Sequence, residues 1–117
     1  MILRTWTGWT RSIDANAYER YMHRMALPSY AAAEGNRGVL MVKRPSGPDR
    51  TEFLMITLWD STDAVRTFAG RESTEAVFFP EDETYLVERD WEARHYEVYG
   101  CTPDLGSDRP DGHGGRS

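Results

Sequence analysis

Three histidines occur in the 117 residues, and only His95, in the segment ARHYEV at 93–98, falls in an alternating, strand-like pattern. An imidazole titrates near neutral pH and can move a proton in either direction. On a strand, His95 shares a side with Trp91, Ala93, Glu97 and Tyr99, while Tyr96 and Val98 point the other way. Facing a cavity, it is a candidate general base for a phenol or an acidic C–H. Facing a backbone carbonyl or a partner subunit, it is a polar residue held by the fold. Four tryptophans, Trp6, Trp9, Trp59 and Trp91, offer either an aromatic slot for a flat molecule or core and interface filling. Trp6 and Trp59, on the first and third strands, are the cavity candidates. Arg4 shares parity with Trp6 and suits an anionic oxygen of a ligand or a surface acid. Tyr18, Tyr21 and Tyr30 suit core or rim, and His23 lies off the centre of its helix stripe, as a boundary residue does.

Other chemistries find little support. His23, His95 and His113 have no metal-ligand spacing, so no metal site is expected. No phosphate-binding loop, dinucleotide fingerprint or nucleophile elbow occurs, and no cofactor is expected. Cys101 is the single cysteine and cannot form an internal disulfide. A net charge of -5 argues against nucleic acid as partner. No apolar run approaches the roughly 20 residues of a membrane span, and MILRTWTGW lacks a signal-peptide core. The expectation is a cytoplasmic protein without a membrane segment.

The elements that would position these residues follow from the pattern. Residues 2–10 read as a strand, apolar on both sides. Gly8 within it marks a bulge or a close approach by another backbone. Residues 15–33 read as a helix with Asp14 as N-cap and a stripe of Tyr18, Met22, Met25 and Ser29, widened by Tyr21. Pro28 should kink it or split off its last turn. Residues 38–44 and 51–59 form an antiparallel hairpin around PSGPDR. Asp60 or Ser61 caps a helix that Gly70 ends. Pro80 opens a further helix, PEDETYLVERD, whose acidic residues form a solvated face. Residues 91–99 form the fourth strand. Residues 1–100 make one domain, and 101–117 form a tail rich in Gly, Pro and Asp.

The order β-α-β-β-α-β gives a ferredoxin-like α+β sandwich with an antiparallel sheet. Phe53, Met55 and Trp59 lie on one side of the third strand, and Leu54, Ile56 and Leu58 on the other. A sheet that is apolar on both sides needs a second cover, and a second copy of the chain supplies it as a homodimer.

GNRGVLMVKR, TEFLMITLWDSTDAVRTFAG and HYEV together resemble the antibiotic biosynthesis monooxygenase family of dimeric α+β barrels, over about residues 2–99. The resemblance implies a ligand cavity between the sheet and its own helices. It also implies a cofactor-independent enzyme that deprotonates a flat aromatic or polyketide-type small molecule and lets the anion react with dioxygen. His95 is then the candidate base, and Trp6, Trp59, Arg4, Phe68 and Tyr18 are the candidate substrate contacts. The same cavity also suits a cyclase or isomerase moving protons, or a non-catalytic small-ligand-binding, stress-associated dimer. Heme-degrading relatives resemble one another in an Asn on the first strand, a Trp in the second helical region and a His after it. Here the first strand has no Asn, Phe68 stands at the Trp position and residues 62–80 hold no His.

Overall fold

The computed structural model describes residues 1–70 and 76–103. Strand β1 spans Ile2–Arg11, and a short 3-10 turn, Ser12–Asp14, leads into helix α1, Ala15–Ala32. Asp14 occupies the N-cap position, but its carboxylate accepts from the Arg11 guanidinium at 3.0 and 3.2 Å and caps nothing. Helix α1 continues past Pro28. Pro28 and Arg24, whose carbonyl loses its donor, are both exposed, so water can take the orphaned acceptor. The buried stripe runs Tyr18, Met22, Ala26 and Tyr30, with Tyr21 beside it. Its four-residue spacing ends on Ala26 and Tyr30 rather than on the expected Met25 and Ser29.

Strands β2, Asn36–Pro45, and β3, Arg50–Trp59, form the expected hairpin, with Gly47 at φ +93 in its turn. Helix α2 spans Thr62–Ala69, and the Ser61 hydroxyl accepts from the Ala64 amide at 3.1 Å. Part of the segment expected to lead to Pro80 lies outside the described residues.

The expected helix over 80–90 is mostly something else. Helix α3 is only Asp82–Tyr85, and the chain then enters strand β4, Leu86–Arg89. The edge of β1 explains this. Residues 86–89 pair antiparallel with Gly8–Thr10, and those ladder bonds outweigh the local helix preference of the sequence. The fourth strand is correspondingly shorter than expected. Strand β5 covers Arg94–Glu97 and pairs with Ile2–Thr5. Between β4 and β5 the ladder is interrupted, and the Trp6 indole N–H donates to the Asp90 carbonyl there at 2.6 Å.

The sheet order is β2-β3-β1-β4, with β5 also on β1, and every pair is antiparallel. This is the ferredoxin-like α+β arrangement. The helix-facing side carries Arg4, Trp6 and Gly8 from β1 opposite Thr57, Met55 and Phe53 from β3. Met41 and Lys43 of β2 continue these rows at one edge, and His95 stands beside Arg4 at the other. The opposite side carries Trp9, Leu54, Ile56, Leu58, Leu40, Val42 and Tyr96, and Leu40 is 59% exposed. No helix among the described residues is long and apolar enough to cross a membrane.

Gly8 proves to be where a side chain crosses the strand, and the bulge lies just beyond, between Trp9 and Thr10. A Cβ at Gly8 would lie 2.5 Å from Cη2 of Trp6 and 3.1 Å from Cδ2 of Leu86. The indole is pinned by Asp90 and cannot easily yield. Gly8→Ala is therefore expected to destabilise the domain by about 1–3 kcal/mol and to shift Trp6 fluorescence. An unchanged urea midpoint and emission spectrum would refute this packing.

Candidate functional site

The helix-facing side of the sheet divides into an open part and a closed part. The open part lies under the first two turns of α1. Tyr18 and Met22 descend from the helix, Met41 comes from β2, Phe53 and Met55 from β3, and Trp6 from β1. Together they wall a cavity of about 110 Å³. Aromatic faces and thioethers dominate it, which suits a flat apolar ring. Its mouth is polar. Glu19 and His23 of α1 and Lys43 of β2 line it, and Lys43 forms an ion pair with Glu19.

Tyr18 is fully buried, packs edge-on against Phe53 at 4.9 Å between ring centroids, and directs its hydroxyl towards Asp82 at 3.5 Å. Burial, reinforced by the nearby Asp82 charge, pushes that hydroxyl well above its ordinary range. Asp82 is itself raised by burial, but the Phe79 amide donates to it at 2.7 Å and favours its charged form.

The closed part lies one row further along β1, about 7 Å from Trp6 for two residues of strand. Arg4, 5% exposed, donates from Nη1 to Nε2 of His95 at 2.8 Å. A guanidinium has no acceptor, so Nε2 is the unprotonated nitrogen and the neutral ring carries its proton on Nδ1. Burial and then the Arg4 charge lower the pKa of His95 below its ordinary 6.5. Burial also lowers Arg4, and it raises Tyr30 to about 12 against the opposing charge of Arg4.

Trp59 and Phe68 lie in the closed part as well. Their rings are 5.0 Å apart, Phe68 stacks on Tyr30 at 4.9 Å, and Trp59 has no exposed surface. The Trp59 indole N–H is satisfied by the Thr57 hydroxyl at 2.8 Å.

The residues singled out from the sequence are thus divided by the fold. Trp6 and Tyr18 line the cavity. Arg4 and His95 pair beside it on the same side of the sheet, and Trp59 and Phe68 pack together in the core. The sequence pattern did not point to Met41, Lys43 or Glu19 as cavity residues, and it set His23 aside as a boundary residue. The i, i+4 spacing of Glu19 and His23, beside Tyr18 and Met22, was the available signal. Among the described residues, no group of three His, Cys, Asp or Glu side chains is placed to hold a metal ion.

No family model matches the sequence, and no curated protein matches it either. Solved structures do resemble it. One is a protein from Bacillus cereus provisionally named an antibiotic biosynthesis monooxygenase, at 16% identity and TM-score 0.56, covering 86% of this chain and 94% of that one. Another is a variant of MhuD with two manganese protoporphyrin IX molecules bound per active site, at 12% identity and TM-score 0.56, covering 86% and 97%. At these identities the likeness establishes the fold, and at that level the expected resemblance holds.

The Arg4–His95 pair has a measurable consequence. A histidine with a lowered folded pKa binds fewer protons folded than unfolded. Its pairing therefore supports the fold above pH 6.5 and is lost as the pH falls through the lowered value. The His95 ring resonance should titrate with a midpoint below 6.5, and Arg4→Met should raise that midpoint. A midpoint at or above 6.5 in the native chain would contradict the pairing.

Proposed function

We propose that this domain binds a flat, electron-rich phenolic molecule of about one ring between α1 and the sheet and oxidises it with dioxygen, without a bound cofactor. The observation that carries this reading is the cavity walled by Trp6, Tyr18, Phe53 and three methionines. A dry apolar cavity of roughly 150 Å³ accepts benzene, so about 110 Å³ suits one ring. Larger polycyclic compounds need the methionine side chains to move. A porphyrin, as bound by the MhuD variant, is much larger than the cavity. Phe68 is also held between Tyr30 and Trp59, and heme chemistry is not part of the proposal.

In this reading the hydroxyl of a ring seated on Trp6 is turned along β1 towards the Arg4–His95 pair, which lies one row outside the cavity lining. Neutral His95 takes the phenolic proton on Nε2, and the Arg4 N–H that occupied Nε2 transfers to the new phenolate oxygen. The anion is the reductant. It passes electrons to dioxygen and forms a C–O bond at a ring carbon ortho or para to the oxygen. Loss of the ring hydrogen with water leaves a carbonyl there, so phenol and dioxygen give quinone and water. Trp6 and Tyr18 hold the ring and exclude water.

A second reading, a non-catalytic binder, is favoured by one observation, the Arg4 N–H that already occupies the His95 lone pair. Dioxygen uptake with simple hydroquinones and phenols tests both. The oxygenase reading expects uptake that depends on protein and falls about 100-fold in His95→Gln. Equal product with and without dioxygen would point to proton-transfer chemistry such as isomerisation, and binding without any product to a binder. Turnover unchanged in His95→Gln would remove His95 from the mechanism.

The uncovered side of the sheet supports a homodimer as part of the same proposal. Its apolar centre, Leu54, Ile56 and Leu58, is flanked by exposed Leu40, Val42 and Tyr96. Sedimentation should show a dimer, and Leu40→Glu should shift it towards monomer with the circular dichroism spectrum retained. A native chain that sediments as a monomer at high concentration would overturn this.

A further inference from the structure

The charges at the mouth of the cavity distinguish among one-ring ligands. Lys43 and Glu19 face each other across it, with side chains 42% and 44% exposed, and His23 lines it beside them. On a chain of net charge -5, this edge of α1 is locally the reverse. Lys43 foremost, then His23 and Arg20, hold the Glu19 carboxyl below its ordinary value, and the Arg24 guanidinium lies over the Tyr21 ring at 5.7 Å. At the mouth itself Glu19 and Lys43 pair, with His23 beside them, and Arg20 and Arg24 lie further along α1. A half-exposed pair of this kind is weakly held and exchanges readily.

We infer that the cavity selects an aromatic carboxylate, whose anionic group replaces Glu19 on Lys43 at the mouth while its ring enters between Trp6, Tyr18 and Met55. This rests on the cavity being the ligand site proposed above. It adds the charge and orientation of the ligand. The carboxylate stays at the α1–β2 mouth, and the opposite edge of the ring points along β1 towards Arg4 and His95. Glu19 is then a competitor for the site and Lys43 the residue that sets specificity.

Benzoate and its neutral isostere benzamide test this by ligand-observed NMR titration of the full chain. At low ionic strength benzoate should bind about fivefold more tightly than benzamide, the size that a half-exposed ion pair supports. The difference should shrink as salt is added. Lys43→Met should abolish the preference by lowering benzoate affinity to that of benzamide, whereas Glu19→Gln should enlarge it. The opposite signs of these two effects separate ligand selection from a merely structural cap, which would weaken both variants alike. Equal binding of the two probes to the native chain, or parallel losses in both variants, would overturn the inference and leave the cavity reading intact. Binding of neither probe would overturn both. Benzoate preference without dioxygen uptake on any phenolic carboxylate would support the inference and remove only the oxygenase reading.

Discussion

All ten residues of β1 pair with β3 in one uninterrupted register, from Ile2 opposite Trp59 to Arg11 opposite Arg50. Side chains alternate along a strand, so a slip of one residue would turn the whole set over. Arg4, Trp6 and Gly8 would move to the uncovered side, and Trp9 would be driven under the helices. The same register places Trp6 beside Met55 and Arg4 beside Thr57. It therefore decides that the wall of the cavity and the Arg4–His95 pair occupy adjacent rows of one side. β1 can impose this because both of its edges are used, by β3 on one and by β4 and β5 on the other.

The interruption between β4 and β5 is tied to the same strand. The Trp6 indole lies over Gly8, where only hydrogen fits, and its N–H takes the Asp90 carbonyl. The Thr7 carbonyl in turn accepts from the Asp90 amide at 2.9 Å. Beyond this point Arg89 is stacked between Phe78 and Trp91, with centroid distances of 4.5 and 4.2 Å. The broken edge strand is thus held by side chains where ladder bonds are missing. Trp6 does this while presenting its ring to the cavity, so one residue serves both the strand edge and the cavity wall.

Much of this was legible in the sequence. The strands at 2–10, 38–44 and 51–59 have strong alternation or turn residues at their ends, and each proved one to three residues longer. The cap at Ser61 follows from local chemistry alone. The helix expected over 80–90 failed because helix preference is local, while the open edge of β1 that captured Leu86–Arg89 is made by residues almost 80 positions earlier. His95 showed which residues share its side, but the side itself depends on pairing with Arg4, a long-range fact. Trp59 and Phe68 look like ligand contacts by residue type. They are core because their rings and that of Tyr30 are of a size to fill one another's space. Lys43 and Glu19 were missed because the mouth forms only when α1 lies across β2.

Two groups of titratable side chains outside the cavity lining differ in what they do for the fold. Asp82 holds the Phe79 amide, and the Tyr21 hydroxyl accepts from the Glu81 amide at 2.8 Å. These bonds fix the turn into α3, a structural task that accounts for a buried carboxylate. The Arg4–His95 bond ties β1 to β5 through their side chains. Burying a guanidinium costs stability whatever its partners, and a well-packed apolar pair would fill the same space at less cost. Burial and the Arg4 charge favour the neutral form of His95, whose Nε2 accepts from Arg4. The cavity next to them is apolar where a ring would lie and charged only at its rim. The apolar cavity and the Arg4–His95 pair thus occupy neighbouring rows of a single side of the sheet.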